Sequence, residues 1–283
     1  GSIESAFNLA YWDIQGKAEN KPVCAFFGAE PREKIPVYGT GLFYREVDDY
    51  KAQLPLFLEE AERFMERGYH GIKMKAGRYP VEQEFWLIER IRQALPEEML
   101  LMVDANCGMK SSDETKALIR RLEQINVKWL EEPFQPDAYM QYKETTESCD
   151  RLPIAAGENE YDLTGFLRLI DAGVTIFQPE LSLCGGFSQL PELLKMAGQH
   201  HIQLTPHVWG SGFLYGACLN FYSMLGSEHA LPFEVPLLSD PFRDQCFHQI
   251  NIERGHISTP KAAGLGVETD EKEIGKYLLY PIK

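Results

Sequence analysis

The sequence lacks any long apolar run: nothing approaches the roughly 18 consecutive apolar residues of a membrane span. Gly1 to Ala10 also lack the basic-then-apolar order of a secretion signal. Paired cysteines are missing too. The six present (Cys24, Cys107, Cys149, Cys184, Cys218 and Cys246) are scattered with no CxxC, which fits neither a zinc knuckle nor a disulfide scaffold and makes a reducing cytoplasm the expected home. Positive charge is scarce, with 28 lysines and arginines against 42 aspartates and glutamates and a formal net charge of −14. No basic stripe is available to neutralise phosphates, so nucleic acid is not an expected partner, and without an apolar span neither is a membrane. An anionic small molecule stays open, provided that a metal or local lysines reverse the charge inside its site. Low-complexity segments are absent as well, and 44% hydrophobic with 25% charged residues is the composition of a soluble globular chain. Its 283 residues would make two average domains or one α/β barrel of about 250 residues.

What the sequence does have is a repeat. Short β-type runs fall at Ile35 to Gly39, Gly71 to Lys75, Leu100 to Asp104, Lys128 to Glu131, Ile154 to Gly157, Thr175 to Gln178, Ile202 to Thr205 and Leu231 to Glu234. Amphipathic helical patterns lie between them, among them Leu54 to Arg67, Val81 to Ala94, Asp113 to Gln124, Leu163 to Ala172, Phe187 to His200 and Phe213 to Leu225. Gly68, Gly173 and Gly226 stand where helices should end, and Ser111, Ser112 and Asp162 where they should begin. Eight such alternations predict a closed (β/α)8 barrel of the TIM type rather than an open doubly wound sheet. The expected organisation is a linker and remnant helix over 1–34, the catalytic barrel over 35–245 and a C-terminal segment over 246–283. That last segment contains an alternating pair, Gln249 to Glu253 and His256 to Ser258, around a turn.

Charged residues recur where the barrel strands end, the face on which barrel active sites are built. Lys75, Asp104, Glu131, Glu158, Glu180, His207 and Glu234 are separated by 29, 27, 27, 22, 27 and 27 residues, close to one βα unit each. Carboxylates gathered at one mouth repel and lose solvation unless a cation joins them. Asp104, Glu131 and Glu158, on three consecutive strands, offer hard oxygen ligands suited to Mg²⁺. Any one of them alone reads more readily as a helix cap or a loop ion pair. Lys73 and Lys75 in GIKMKAG share a strand face, and their mutual repulsion should lower the pKa of one of them, enough for a neutral lysine base. His207 in TPHVWGSG stands across the mouth from Lys75, with Glu180 one strand earlier as its orienting partner. A group on each face of one substrate carbon is what inversion or assisted elimination requires. Glu132 should point away from the mouth and support the site rather than ligate. GSGFLYG misses the GxGxxG spacing of a phosphate loop, and His200 and His201 merely end a helix.

In these stretches the sequence resembles the enolase superfamily, and within it the mandelate racemase branch. The resemblance rests on AFNLAYWDIQGKAENKPV, GIKMKAG, VDANCG, WLEEP, AAGENE, FQPELSLCGG, TPHVWGSG, PFEVP and AAGLGVETDEKEIGKYL, in the family's order along nearly the whole chain. It implies Lys75 and His207 as the two bases, and Asp104, Glu131 and Glu158 as Mg²⁺ ligands. Lys73 and Glu234 would contact the substrate carboxylate, with Asn106 nearby. It also implies proton abstraction α to a carboxylate through an enediolate, a small carboxylate substrate and a homo-oligomer.

The chain departs from that family in two places. Glu180, in QPEL, replaces the family's aspartate, and its extra methylene either reaches His207 or misplaces it. Only some 34 residues precede the first strand, so the chain reads as the barrel portion of a longer protein, with the N-terminal capping domain largely absent and the C-terminal segment packing back toward the cap side. The expected activity is dehydration of a hydroxy-acid such as an acid sugar. Racemisation or epimerisation of a 2-hydroxy acid is the alternative, and an inactive barrel that binds an anionic ligand is a reading from another class. A muconate-type cycloisomerase is less expected, because Glu180 stands where such enzymes carry a lysine.

Overall fold

The computed structural model describes residues 1–149, 151–248 and 250–278. Among these residues eight parallel strands close into a barrel: β1 (Ile35–Gly41), β2 (Gly71–Lys75), β3 (Leu100–Asp104), β4 (Leu130–Glu131), β5 (Ile154–Ala156), β6 (Ile176–Phe177), β7 (Gln203–Leu204) and β8 (Phe233–Pro236). Each pairs with the next from β1 to β7, and β8 returns to β1 over four partners, Val37 with Phe233 through Thr40 with Pro236. Between β7 and β8 the ladder narrows to a single bridge, Leu204 with Ala230. Leu204 donates its N–H to His229 O at 2.8 Å there, and Leu231 donates to Leu204 O at 3.1 Å. The strands fall close to where the sequence pattern puts them, with β4 to β7 shorter, β1 running on to Gly41 and β8 displaced by two residues to Phe233–Pro236. β4 keeps two of the four expected residues, although Lys128 N–H still reaches Leu101 O at 2.8 Å.

Helix α1 (Ser2–Ala18) precedes the barrel. The series α2 (Gln53–Glu66), α3 (Val81–Ala94), α4 (Ser112–Leu122), α5 (Tyr139–Thr146), α6 (Leu163–Asp171), α7 (Leu190–Gln199) and α8 (Gly212–Met224) alternates with the strands, and α9 (Pro241–Cys246) and α10 (Glu271–Gly275) follow β8. Helical spacing sets what they bury: α2 turns Phe57, Ala61 and Phe64 onto the barrel. Ser111 caps α4 by accepting Glu114 N–H at 3.3 Å, and Asp162 caps α6 by accepting Thr164 N–H at 2.8 Å and Gly165 N–H at 3.1 Å. Each such cap is worth about 1 kcal/mol. Ser112 is instead the first residue of its helix, and α8 ends on an extended Leu225 without a left-handed glycine at 226. α7 starts at Leu190 rather than Phe187, after a 3-10 turn over Gly186–Gln189. Pro191 has no N–H to donate, so it fits only the first turn of a helix. α5 has no counterpart in the sequence pattern, because YMQYKETT is short and mostly polar and buries only Tyr142 and Thr145.

Strand alternation sends Ile72 and Met74 into the core between sheet and helices, while Lys73 and Lys75 face the barrel interior. Below the mouth the interior is filled by Tyr38, Met102, Trp129, Ala155, Ile176 and Leu231, a packed plug rather than a pore. The chain ends in two small pairings. β9 (Phe247–His248) pairs with β12 (Glu268–Thr269), and the hairpin β10 (Ile252–Glu253) and β11 (His256–Ile257) joins the start of β1 through Ile35 and Ile257, at the end of the barrel away from the mouth. Gln249, the expected start of that hairpin, lies outside the described residues, as does everything from residue 279 onward. The C-terminal segment meets the N-terminal piece where Val23 N–H donates to Gly264 O at 3.0 Å and Leu265 N–H to Asp13 Oδ1 at 2.9 Å.

Candidate active site at the barrel mouth

On β2, Lys73 is only 1% exposed, and its ammonium meets Glu131, Glu234 Oε1 at 2.8 Å and Asp104 Oδ2 at 4.0 Å. Thr40, the Cα partner of Lys73 on β1, donates its hydroxyl to Glu234, whose other oxygen accepts Val208 N–H at 3.0 Å. Glu234 lies inside β8 rather than at its end, because that strand runs on to Pro236. Glu131 also accepts from Trp129 Nε1 at 3.0 Å and Gln178 Nε2 at 2.7 Å.

These groups fix one another's charge. Burial opposes the Lys73 ammonium, but Glu131 and Glu234 carry its pKa well above the usual lysine range. The lowering expected for one lysine of the pair is not found at Lys73. Burial likewise opposes ionisation of Glu234, yet the charges of Lys73 and His207 and the hydrogen bonds from Lys73 and Thr40 hold its carboxyl down at about 2. At Glu131 burial prevails over Lys73, and with Asp104, Glu234 and Glu158 nearby the carboxyl is pushed up to about 7.

Lys75 ends β2 and lies 2.5 Å from Asp104 Oδ2, its register partner at the end of β3. The other Asp104 oxygen accepts Asn106 N–H at 2.8 Å, in a loop where Asn106 and Cys107 are both left-handed. Across the mouth His207 Nδ1 is 2.8 Å from Glu180 Oε2. Glu180 is itself held by Ser182 N–H at 2.8 Å and Ser182 Oγ at 2.6 Å, and its longer side chain does span the gap to the imidazole. The free Nε2 faces Glu158 Oε2 at 3.5 Å. Burial would lower the His207 pKa, but the Glu180 hydrogen bond and the Glu158 and Glu234 charges outweigh it and raise the ring to about 9.

The structure thus brings Lys73, Lys75, Asn106, Glu158, His207 and Glu234 onto one cavity of about 300 Å³. Asp104 touches Lys75, Glu131 lies on Lys73, and Glu180 sits against His207. Asp104 and Glu131 are Cα partners on adjacent strands, and Glu158 comes within reach through a turn at Gly157, whose φ of +126° suits only glycine. As placed, no three His, Cys, Asp or Glu side chains among the described residues surround one point. Each carboxylate faces a side-chain cation or imidazole instead: Asp104 Lys75, Glu131 Lys73 and Glu158 His207. The donor set is nonetheless all oxygen, drawn from three consecutive strand ends, and the raised Glu131 marks a surplus of buried carboxylate. Such a set fits a hard divalent cation.

Glu132 turns away from the cavity with a left-handed φ of +40° and is buried. Its carboxylate accepts from Gly157 N–H at 3.2 Å, Asn159 Nδ2 at 3.3 Å and Cys107 Sγ at 3.5 Å, tying the loop after β3 to the loop after β5. Burial and the nearby Glu158 charge push it up to about 8. Four further residues escaped the sequence reading. Thr40 and Gln178 look like ordinary strand residues and could have been found only by placing them in register with Lys73 and Glu131. Phe43 and Trp209 line the cavity but read as core aromatics.

Residues 56–273 match the family described as enolase C-terminal domain-like. The chain belongs to that family. D-galactarolactone cycloisomerase from Agrobacterium fabrum is 31% identical over 284 residues, an alignment covering 96% of this chain and 73% of the relative. Arabinonate dehydratase from Saccharolobus solfataricus is 30% identical, covering 93% of this chain and 68% of the relative. A crystal structure of a racemase from Streptomyces coelicolor with bound magnesium superposes with a TM-score of 0.83 at 25% identity, covering 97% of this chain and 71% of that one. The enolase-family chain described here therefore has dehydratases, cycloisomerases and racemases among its relatives.

Proposed function

We propose that this barrel removes the proton α to the carboxylate of an acid sugar and expels the oxygen on the β carbon. The observation that carries the reading is the opposed placement of Lys75 and His207 on one small cavity, with Lys73 on its floor. Whether the departing oxygen is a hydroxyl, as in a dehydration, or belongs to a ring, as in a ring opening, the same bonds change. The α C–H is lost, a carbon–carbon double bond forms and the β C–O bond breaks.

Lys75 takes the α proton at Nζ. His207, with Nδ1 fixed by Glu180, presents Nε2 to the cavity and is protonated at neutral pH by virtue of its raised pKa, so it serves as the acid for the departing oxygen. Lys73 stays charged and faces the substrate carboxylate, with Glu234 and Thr40 fixing its position. Asp104, Glu131 and Glu158 would hold Mg²⁺, which supplies positive charge to the carboxylate as negative charge builds on its oxygens. The dehydratase and cycloisomerase relatives support elimination as the outcome.

Proton NMR of an acid-sugar panel in D₂O with Mg²⁺ tests this. Loss of the α-proton signal together with a 2-keto product is expected. Exchange without a keto product would turn the assignment to epimerisation, and no exchange across the panel would sink it.

A further inference from the structure

Two apolar side chains line the otherwise polar cavity, Phe43 and Trp209. They come from different loops, after β1 and after β7, and meet edge to face with ring centroids 5.8 Å apart at 64°. Neither position follows from core packing. Trp209 is 47% exposed in an acidic, water-facing mouth. Phe43 follows Leu42, a buried residue forced into the left-handed region at φ +51°, a conformation that costs a leucine free energy. The loop beyond Phe43 is fastened twice. Tyr44 donates its hydroxyl to Glu84 Oε2 at 2.6 Å, Arg45 N–H donates to Gln53 Oε1 at 3.0 Å, and Gln53 Nε2 donates back to Arg45 O at 2.7 Å. A strained turn and a tethered loop therefore hold one ring in place, and that ring stands 5.4 Å from Lys75 Nζ. The other ring stands two residues beyond His207. Both rings line the cavity that Lys75 and His207 share.

From this geometry we infer that Phe43 and Trp209 form a wall that selects a ring-closed acid sugar over its open-chain counterpart, an inference that rests on the acid-sugar reading above. The carboxylate is held at the polar floor by Lys73, which leaves the rest of the sugar against the rings. A closed ring presents its C–H groups on one rigid face that stacks on an aromatic surface without ordering cost. An open polyol turns hydroxyls toward both sides and must freeze several rotors to lie flat, and each hydroxyl set against a ring loses a water partner without gaining another. A cavity of about 300 Å³ has room for one such small ring.

Two acids isolate the effect: 3,6-anhydro-D-galactonate and D-galactonate, each with one carboxylate and six carbons, differing by ring closure and one water. Calorimetric titration of each into the chain with Mg²⁺ should show the anhydro acid binding about tenfold more tightly. Trp209→Ala should bring the ratio close to one, Trp209→Phe should keep most of it, and Phe43→Leu should reduce it with circular dichroism unchanged. Equal affinities in the parent chain, no measurable binding of either acid at millimolar concentration, or a ratio that survives Trp209→Ala would each overturn the inference. Failure of the elimination reading shows up separately. A ring preference without α-proton exchange removes the chemistry and leaves the wall, and exchange without ring preference removes the wall alone.

Discussion

The two halves of the mouth are built differently. On the lysine half every acting side chain sits within a strand: Lys73 and Lys75 on β2, Asp104 on β3, Glu131 on β4 and Glu234 on β8. Their spacing is dictated by ladder register, and their charges are paired across neighbouring strands with one carboxylate in excess. On the histidine half, Glu158, Glu180 and His207 stand two or three residues past β5, β6 and β7, and their order is a linear relay from Ser182 through Glu180 and His207 to Glu158. The difference teaches that a strand fixes a side chain by backbone geometry alone, whereas a loop needs a dedicated hydrogen bond for each group it aims. The lysine half should therefore couple chemistry to folding, and the histidine half should separate them.

Four measurements would break or sharpen that contrast. Lys75→Ala should lower α-proton exchange by about a thousandfold or more, the loss expected for a general base, without weakening Mg²⁺ binding by calorimetry. Full exchange in that variant would move the base elsewhere. Lys73→Ala should destabilise the fold by about 3–5 kcal/mol in urea unfolding, since it leaves Glu131 and Glu234 buried without their cation. A loss well below that would mean the lysine half is no more structural than the other. His207→Asn should cut keto product by about a hundredfold while unfolding close to the parent, and it should leave exchange at Lys75 measurable by NMR. Equal loss of exchange and product would show that the two halves act as one unit.

The smallest effect lies outside the mouth, at Glu84, buried under the Phe43 loop and pushed up by burial despite hydrogen bonds from Tyr44 and Tyr79 N–H. A carboxyl whose folded pKa is raised binds its proton more tightly when folded. Its contribution is present below the unfolded value of about 4.3 and is lost as the pH climbs through the folded value. Glu84→Gln should flatten that decline above the unfolded value in denaturant titrations. An unchanged pH profile would mean that Glu84 does not titrate with folding.

The same contrast explains what was legible in the sequence. Strand residues repeat with the βα unit, so Lys75, Asp104 and Glu131 stand out as charges at unit spacing, and the barrel itself follows from eight alternations. Glu180 and His207 could be paired because both follow their strands by the same three residues. Thr40 and Gln178 stayed hidden because an uncharged strand residue carries no mark of the partner it faces. Phe43 and Trp209 stayed hidden because hydrophobicity reads as core, and only the left-handed turn at Leu42 and the exposure of the indole show otherwise. The outcome of the reaction is the least legible, since dehydration and ring opening differ in the substrate and not in the groups that act on it.

The barrel is sewn shut along the line between β7 and β8 with very little thread. Apart from the two backbone bonds at Leu204, that line is crossed among the described residues by the Thr205 hydroxyl donating to Pro232 O at 3.0 Å, by Val208 N–H donating to Glu234 Oε2 at 3.0 Å and by His229 Nδ1 against Ile202 O at 3.0 Å. The second stitch is tied to a side chain of the site itself. Glu234 thus works as a rivet as well as an anchor for Lys73, and whatever ligand draws on that carboxylate also pulls on the hoop that keeps the cylinder round.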